Sequence, residues 1–235
     1  MLFSVKNTTF PSLLDLLAPH SCRGCGRIGS PLCKRCKKYV ISNHKPICPN
    51  CKTPQPPTKG IQPCHHCPDL PPIYVAGARE GLLDDIIRAY KYQSIRALAV
   101  PLAELLDHAL PQDLGDHPII VPLPTASHHI RARGFDHTAF LAKHLAKLRS
   151  IKVCPLLTRA KNTVQVGVDQ ATRQAQAKQV YAVNSKITID PSATYILLDD
   201  IWTTGASVKS ALDLLHSIGI KNDHIVVVLL AYSVE

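Results

Sequence analysis

Four C-x-x-C pairs crowd the first 68 residues of this 235-residue chain: Cys22/Cys25, Cys33/Cys36, Cys48/Cys51 and Cys64/Cys67. A C-x-x-C turn sets two thiolates on one side of a tight loop, and two such turns complete a tetrahedral sulfur site. Four pairs therefore fit two structural zinc ions. Seven residues lie between Cys25 and Cys33 and twelve between Cys51 and Cys64. These short connections favour sequential pairing, although spacing leaves an interleaved pairing open. His65 and His66, inside the last pair, read as exposed linker residues. Disulfides are the competing use of such cysteines, but they need an oxidising compartment. The first twenty residues carry Lys6 and Asp15 and lack the continuous apolar run of a secretory signal. A cytoplasmic location is expected, without membrane insertion, because no stretch approaches the roughly 18 uninterrupted apolar residues of a span. The ninth cysteine, Cys154 in "KVCPLL", reads as a small buried apolar residue.

Charge follows the cysteines. Residues 1–68 hold ten Lys and Arg against one acid, Asp15, whereas the remainder holds 17 against 16. Filling both zinc sites lowers the formal +9 of the first part to about +5. The part stays basic, with Lys34, Arg35, Lys37 and Lys38 around one knuckle. A polyanion partner is the sharper reading of that cluster, and a solvated surface the plainer one.

The chain divides near residue 70. Residues 1–70 are read as the zinc module, opened by a short helix over "SLLDLLAP" with Ser12 as its cap. A proline-rich stretch over 52–72 leads into residues 71–235, where strands and helices alternate. "IYVAGAR", "HPIIVPLP", "KVCPLL", "TYILLDD" and "HIVVVLLA" read as strands. "GLLDDIIRAYKY", "LAVPLAELLDHAL", "FDHTAFLAKHLAKL" and "SVKSALDLLHSIG" read as helices, the last closed by Gly219. Apolar, β-branched strands separated by helices predict an α/β fold with a parallel sheet covered on both faces.

Within that frame "YILLDDIWTTGAS" sets two acids, Asp199 and Asp200, at the carboxyl end of a strand. Ligands of open parallel sheets bind there. Thr203, Thr204, Gly205, Ala206 and Ser207 follow and lead into a helix, supplying backbone amides, hydroxyls and a helix dipole suited to phosphate. Carboxylates would repel a phosphate unless they met another part of the same ligand. Ribose hydroxyls satisfy that condition, so the pattern asks for a sugar phosphate.

"ILLDDIWTTGAS" resembles the phosphoribosyl-pyrophosphate (PRPP) motif of type I phosphoribosyltransferases. The resemblance sharpens to the ComF family, whose N-terminal zinc ribbons match the cysteine pairs. Three more blocks follow in family order: "YKYQSIRALAVPLAELL", "VPLPTASHHIRARGFDH" and "RAKNTVQVGVDQATR". The resemblance implies a type I phosphoribosyltransferase-like sheet. Asp199 and Asp200 would meet the ribose hydroxyls, and residues 203–207 the 5′-phosphate. The loop from Pro122 to Thr125 would grip pyrophosphate, with Arg131 and Arg133 as anion ligands. Arg159, Thr163, Gln165 and Arg173 would belong to the hood where an acceptor is chosen. Mg²⁺ would accompany PRPP. The family's R-G-F-N-Q becomes Arg133-Gly134-Phe135-Asp136-His137 here, and Asp136 can serve as a helix N-cap as Asn would. His128 and His129 stand where basic residues are usual and read as surface residues.

Three functions are compatible with this likeness. One is a competence protein with a PRPP-like pocket, handling single-stranded DNA and meeting DNA-translocation proteins. Another is an active phosphoribosyltransferase acting on a nucleobase or other small acceptor. The third is a non-catalytic zinc-ribbon adaptor. With only Phe3, Phe10 and Tyr39 as aromatics in the first 68 residues, DNA contact there is expected to run through phosphates rather than stacked bases.

Overall fold

The computed structural model describes residues 20–56, 60–160 and 180–234. The expected helix at Ser12 and the hood residues Thr163, Gln165 and Arg173 lie outside them. The chain opens with two knuckles of the same build, 26 residues apart. Cys22 N–H donates to Arg27 O and Cys48 N–H to Thr53 O, while Gly26 and Lys52 turn back onto Cys22 O and Cys48 O. The turn residue is left-handed in both, Gly26 at φ 71° and Lys52 at φ 61°. Helix α1 (Lys34–Asn43) starts directly after Cys33.

The α/β part follows in order: β1 (Ile73–Val75), α2 (Gly81–Tyr92), a 3₁₀ turn (Arg96–Leu98), α3 (Ala99–Ala109), β2 (Ile119–Pro122), α4 (Ser127–Arg133), α5 (His137–Arg149) and β3 (Lys152–Val153). Then come β4 (Leu157–Arg159), β5 (Tyr181–Val183), β6 (Tyr195–Trp202), α6 (Ala206–Ser217), a 3₁₀ turn (Asn222–His224) and β7 (Ile225–Tyr232). Five strands form a parallel sheet in the order β1-β7-β6-β2-β3. The expected fold class, a parallel sheet flanked by helices behind a Cys-rich module, is the one found.

Local chemistry explains where the elements stop. Pro155 cannot donate to a sheet ladder, and the expected strand over 152–157 splits there. Its first half joins the sheet, and Leu157–Arg159 pairs antiparallel with β5 as a separate hairpin. Asp136 caps α5, accepting from Ala139 N–H at 3.1 Å. Gly219 follows α6 at φ 87°, with its N–H on His216 O. The carbonyls at the end of α3 are met by the guanidinium of Arg149, which reaches Asp107 O and Pro111 O.

Side chains alternate across β6 and β7, so each face of the sheet has its own core. Ile196, Leu198, Val226 and Val228 pack with α2, α3 and α5 on one face. Tyr195, Leu197, Val227 and Leu229 pack with α6 and the β4–β5 hairpin on the other. The chain leaves β2 for β3 in one direction along the sheet and β6 for β7 in the other. Right-handed crossovers then put α5 and α6 on opposite faces, and the strand order reverses between β2 and β6. No helix among the described residues is long and apolar enough to cross a membrane.

The cysteine module is seated on this unit. Cys22, Leu32, Cys36 and Val40 belong to the α2/α3 core, Lys37 Nζ pairs with Glu104 Oε2 at 2.5 Å, and Arg23 bonds Gln93. Val40→Ala should therefore destabilise the whole chain, by about 2 kcal/mol, in one cooperative urea transition. Separate transitions for module and sheet would contradict the shared core.

Candidate functional site

The cysteines form two tetrads: Cys22, Cys25, Cys33 and Cys36, then Cys48, Cys51, Cys64 and Cys67. Within each, all four sulfurs lie within 4.8 Å of one another. This is the sequential arrangement. A tetrahedron with Zn–S bonds of about 2.3 Å has sulfur–sulfur edges of roughly 3.8 Å. Cys25–Cys33, Cys51–Cys64 and Cys48–Cys67 stand at 3.7, 3.5 and 3.9 Å. Donors are already aimed at the sulfurs, Cys33 N–H at Cys22 Sγ and Asn50 Nδ2 at Cys67 Sγ, each at 3.3 Å. Burial, with neighbouring thiols, pushes Cys36 and Cys48 up to about 12. A divalent cation reverses such a penalty. Each tetrad thus has the donor set and spacing to hold one zinc ion. His65 and His66 are exposed and outside the tetrads.

The acids of β6 lie where the strand order reverses. β2 pairs with β6 only as far as Pro122 opposite Leu198, so Asp199 and Asp200 follow at the opening between the two strands. Alternation then sends the adjacent acids to opposite faces. Asp200 turns to the α2/α5 side, where its Oδ2 receives Lys91 Nζ at 2.7 Å and His137 Nε2 at 2.5 Å. Burial alone would raise its pKa, but the bond from His137 and the charge of Lys91 outweigh it. They hold the carboxyl well below the usual carboxylate range. Asp199 turns to the α6/hairpin side and accepts the Asp200 N–H on Oδ1 at 2.9 Å. Burial and the charge of Asp200 push it up to about 8. Asp199 thus favours its protonated form and Asp200 its ionised form. Among the described residues, the hydrogen bonds fall on Asp199 Oδ1 and Asp200 Oδ2.

The cationic side is built from several elements. Arg133, at the end of α4, lies over the His137 ring, 2.8 Å from Nδ1 and 3.4 Å from Nε2, and 5.5 Å from the exposed Tyr92 ring. Arg159, on β4, donates to Pro124 O at 2.9 Å and lies 5.0 Å from the Tyr181 ring. Tyr181, on β5, is buried; the charge of Asp199 adds to burial in raising its phenol, and Ser207 is in hydrogen-bonding reach. Arg131 is on an exposed part of α4, as are His128 and His129. In the loop after β2, Thr125 bonds Asp136 Oδ1 at 2.9 Å.

Thr203, Thr204, Ala206 and Ser207 are exposed. Ser207 and Val208 sit in the first turn of α6, where amides have no acceptor inside the helix. Ala206 N–H meets Thr204 Oγ1 at 3.3 Å. Gly205 is required: its φ is 74°, and an added Cβ would stand 2.3 Å from the buried Trp202 ring.

Sequence reasoning named both acids, the turn, Arg133 and Arg159. It gave no role to Lys91 or Tyr181 and noted His137 only as a departure from the family pattern. The available signal for Lys91 was its place in "YKYQ", at the start of one of the blocks that carry the family resemblance.

Fold and site together define an α/β protein that carries two Cys₄ clusters and an acid pair at the carboxyl end of a parallel-sheet strand. No protein-family model matches the chain. "Competence protein F" of Haemophilus influenzae (strain ATCC 51907 / DSM 11121 / KW20 / Rd) is 25% identical over 212 residues, 85% of this chain and 91% of that protein. The chain thus has a homologue of that name, and its two tetrads fit a double zinc ribbon.

The purified chain should carry about two zinc ions, and Cys22→Ser and Cys48→Ser about one each, by metal analysis. A wild-type content near zero under reducing, metal-replete conditions would refute the assignment. Gly219→Ala should cost about 1 kcal/mol, a φ penalty alone. Gly205→Ala should cost about 3 kcal/mol, because Trp202 must also move. Equal costs in urea unfolding would contradict the close approach.

Proposed function

We propose a ComF-type competence protein whose acid pair and β6–α6 turn bind the phosphoribosyl group of PRPP or a related sugar phosphate. It works in the cytosol, on incoming single-stranded DNA. The observation that carries this reading is the juxtaposition at the β2/β6 opening. An acid pair, Asp199 favouring its protonated form and Asp200 its ionised form, stands beside an exposed turn with first-turn amides. Hydroxyls donate to the first and a phosphate accepts from the second. Lys91, Arg133 and Arg159 give the crevice the cations that a pyrophosphate tail requires. Mg²⁺ would arrive with the ligand rather than wait in the protein, since Asp199 holds a proton and Lys91 already neutralises Asp200.

The relative's name supports the competence setting. For DNA, support comes from α1. Lys37 is paired with Glu104, while Lys34, Arg35 and Lys38 are exposed with Tyr39 beside them. Such a surface binds phosphates with strong salt dependence. Phosphoribosyl transfer would ask the protein chiefly to position ribose and leaving group. Pyrophosphate release on addition of nucleobases reads that activity separately from binding.

Calorimetric titration with Mg·PRPP tests the pocket. Asp199→Asn/Asp200→Asn should weaken binding at least about tenfold, and an unchanged Kd would overturn the reading. Asp199 has a raised pKa, so it keeps its proton below about 8 and gives it up above. The Mg²⁺-dependent part of the affinity should therefore rise as pH increases through that value.

A further inference from the structure

We propose that Tyr92 and the arginines beside it form a binding surface for single-stranded nucleic acid, with the Tyr92 ring as its base-stacking residue. The inference deepens the single-stranded DNA reading and rests on it. It assigns the base contact to the α/β part, since the cysteine module offers basic charge with few aromatics.

Tyr92 is the last residue of α2 and follows Lys91. A helix turns by about 100° per residue, so the two side chains diverge. Lys91 is buried, with Nζ 2.7 Å from Asp200 Oδ2, whereas Tyr92 is 65% exposed. The same Nζ lies 6.0 Å from the centre of the Tyr92 ring, which sets the exposed ring beside the acid pair. The arginines come from two segments that folding brings together. Ser94 Oγ donates to Arg133 O at 3.0 Å, and Arg96 Nη2 to Gly134 O at 2.8 Å. These bonds tie the residues after α2 to the end of α4, where the Arg133 guanidinium stands 5.5 Å from the Tyr92 ring. Arg96 and Arg131 are exposed on either side of that junction.

Charge here has one sign. Residues 91–98 and 127–135 hold Lys91, Arg96, Arg131 and Arg133 and no acid, although residues 69–235 as a whole are nearly balanced, 17 Lys and Arg against 16 acids. Lys91 is matched by Asp200, so the arginines carry the surplus. A ring that is 65% exposed cannot be covered on both faces, and one is open to a planar partner. The partner that uses both features carries phosphates for the guanidinium groups and bases with open faces for the ring. A single strand has both. A duplex keeps its bases stacked on one another and would meet the arginines alone. Tyr39 of α1, 62% exposed, is the competing aromatic, but it stands on the cysteine module and not beside the acid pair.

Anisotropy titrations at low salt, with a labelled oligothymidylate of about twelve nucleotides, test the surface. Tyr92→Ala, an exposed change that should leave the melting curve in place, should bind about tenfold more weakly. Tyr92→Phe keeps the ring and should bind like wild type. An abasic strand of the same length has phosphates without bases, so wild type and Tyr92→Ala should bind it alike. A strand carrying 5-iodouracil should crosslink to Tyr92 on irradiation. A folded Tyr92→Ala chain with wild-type affinity overturns the proposal, and so do crosslinks confined to Tyr39; either leaves the DNA reading with α1. A loss that is as large on the abasic strand overturns the stacking role. Wild type that takes up no oligonucleotide at low salt removes the DNA reading itself, and this surface with it.

Discussion

A single carboxylate oxygen, Oδ2 of Asp200, receives both Lys91 from α2 and His137 from α5. That contact ties two helices to the end of the central strand and sets the electrostatics around it. Taking an ammonium and a carboxylate out of water costs several kcal/mol each, repaid only when geometry is good and further hydrogen bonds are made. Here the imidazole of His137 supplies the second donor, with the Arg133 guanidinium over its ring. Removing Asp200 would leave the buried Lys91 and His137 without their shared acceptor.

The same arrangement separates two neighbours that look equivalent on paper. Asp200 favours its ionised form because His137 and Lys91 both donate to it. Asp199, one residue earlier, faces the other side of the sheet, where burial and the charge of Asp200 favour its protonated form. Two acids with opposed environments can play different parts toward one ligand, one as a fixed charge and the other as a proton carrier. Lys91 and Arg159 bring positive charge to the acid pair from α2 and β4.

The cysteine module extends the core instead of hanging from it. The first tetrad shares buried residues with α2 and α3, while the second packs in a smaller cluster of Cys48, Cys64 and Cys67 with Cys51 and Leu70. A metal ion held by the first tetrad would therefore bear on the helix that carries Lys91. The exposed basic residues of α1 lie on the outer part of that same module.

Features written in consecutive residues were legible: the cysteine spacing, the apolar strands, the acids with their small-residue turn, and the caps at Asp136 and Gly219. Each depends on interactions over a few positions, so local chemistry is enough. The β4–β5 hairpin was not legible, because its strands are short and their partners lie across a polar stretch. Nor was helix α4, whose seven residues "SHHIRAR" carry no buried side chain and so no periodicity to read. The sequence by itself determined that a parallel sheet would end in two carboxylates beside a phosphate-sized turn, behind two sulfur tetrads. Only the tertiary structure decided that those carboxylates would part company. Strand alternation sends them to opposite faces, and the groups that set their charge, Lys91, His137 and Tyr181, come from distant elements that folding alone brings within reach.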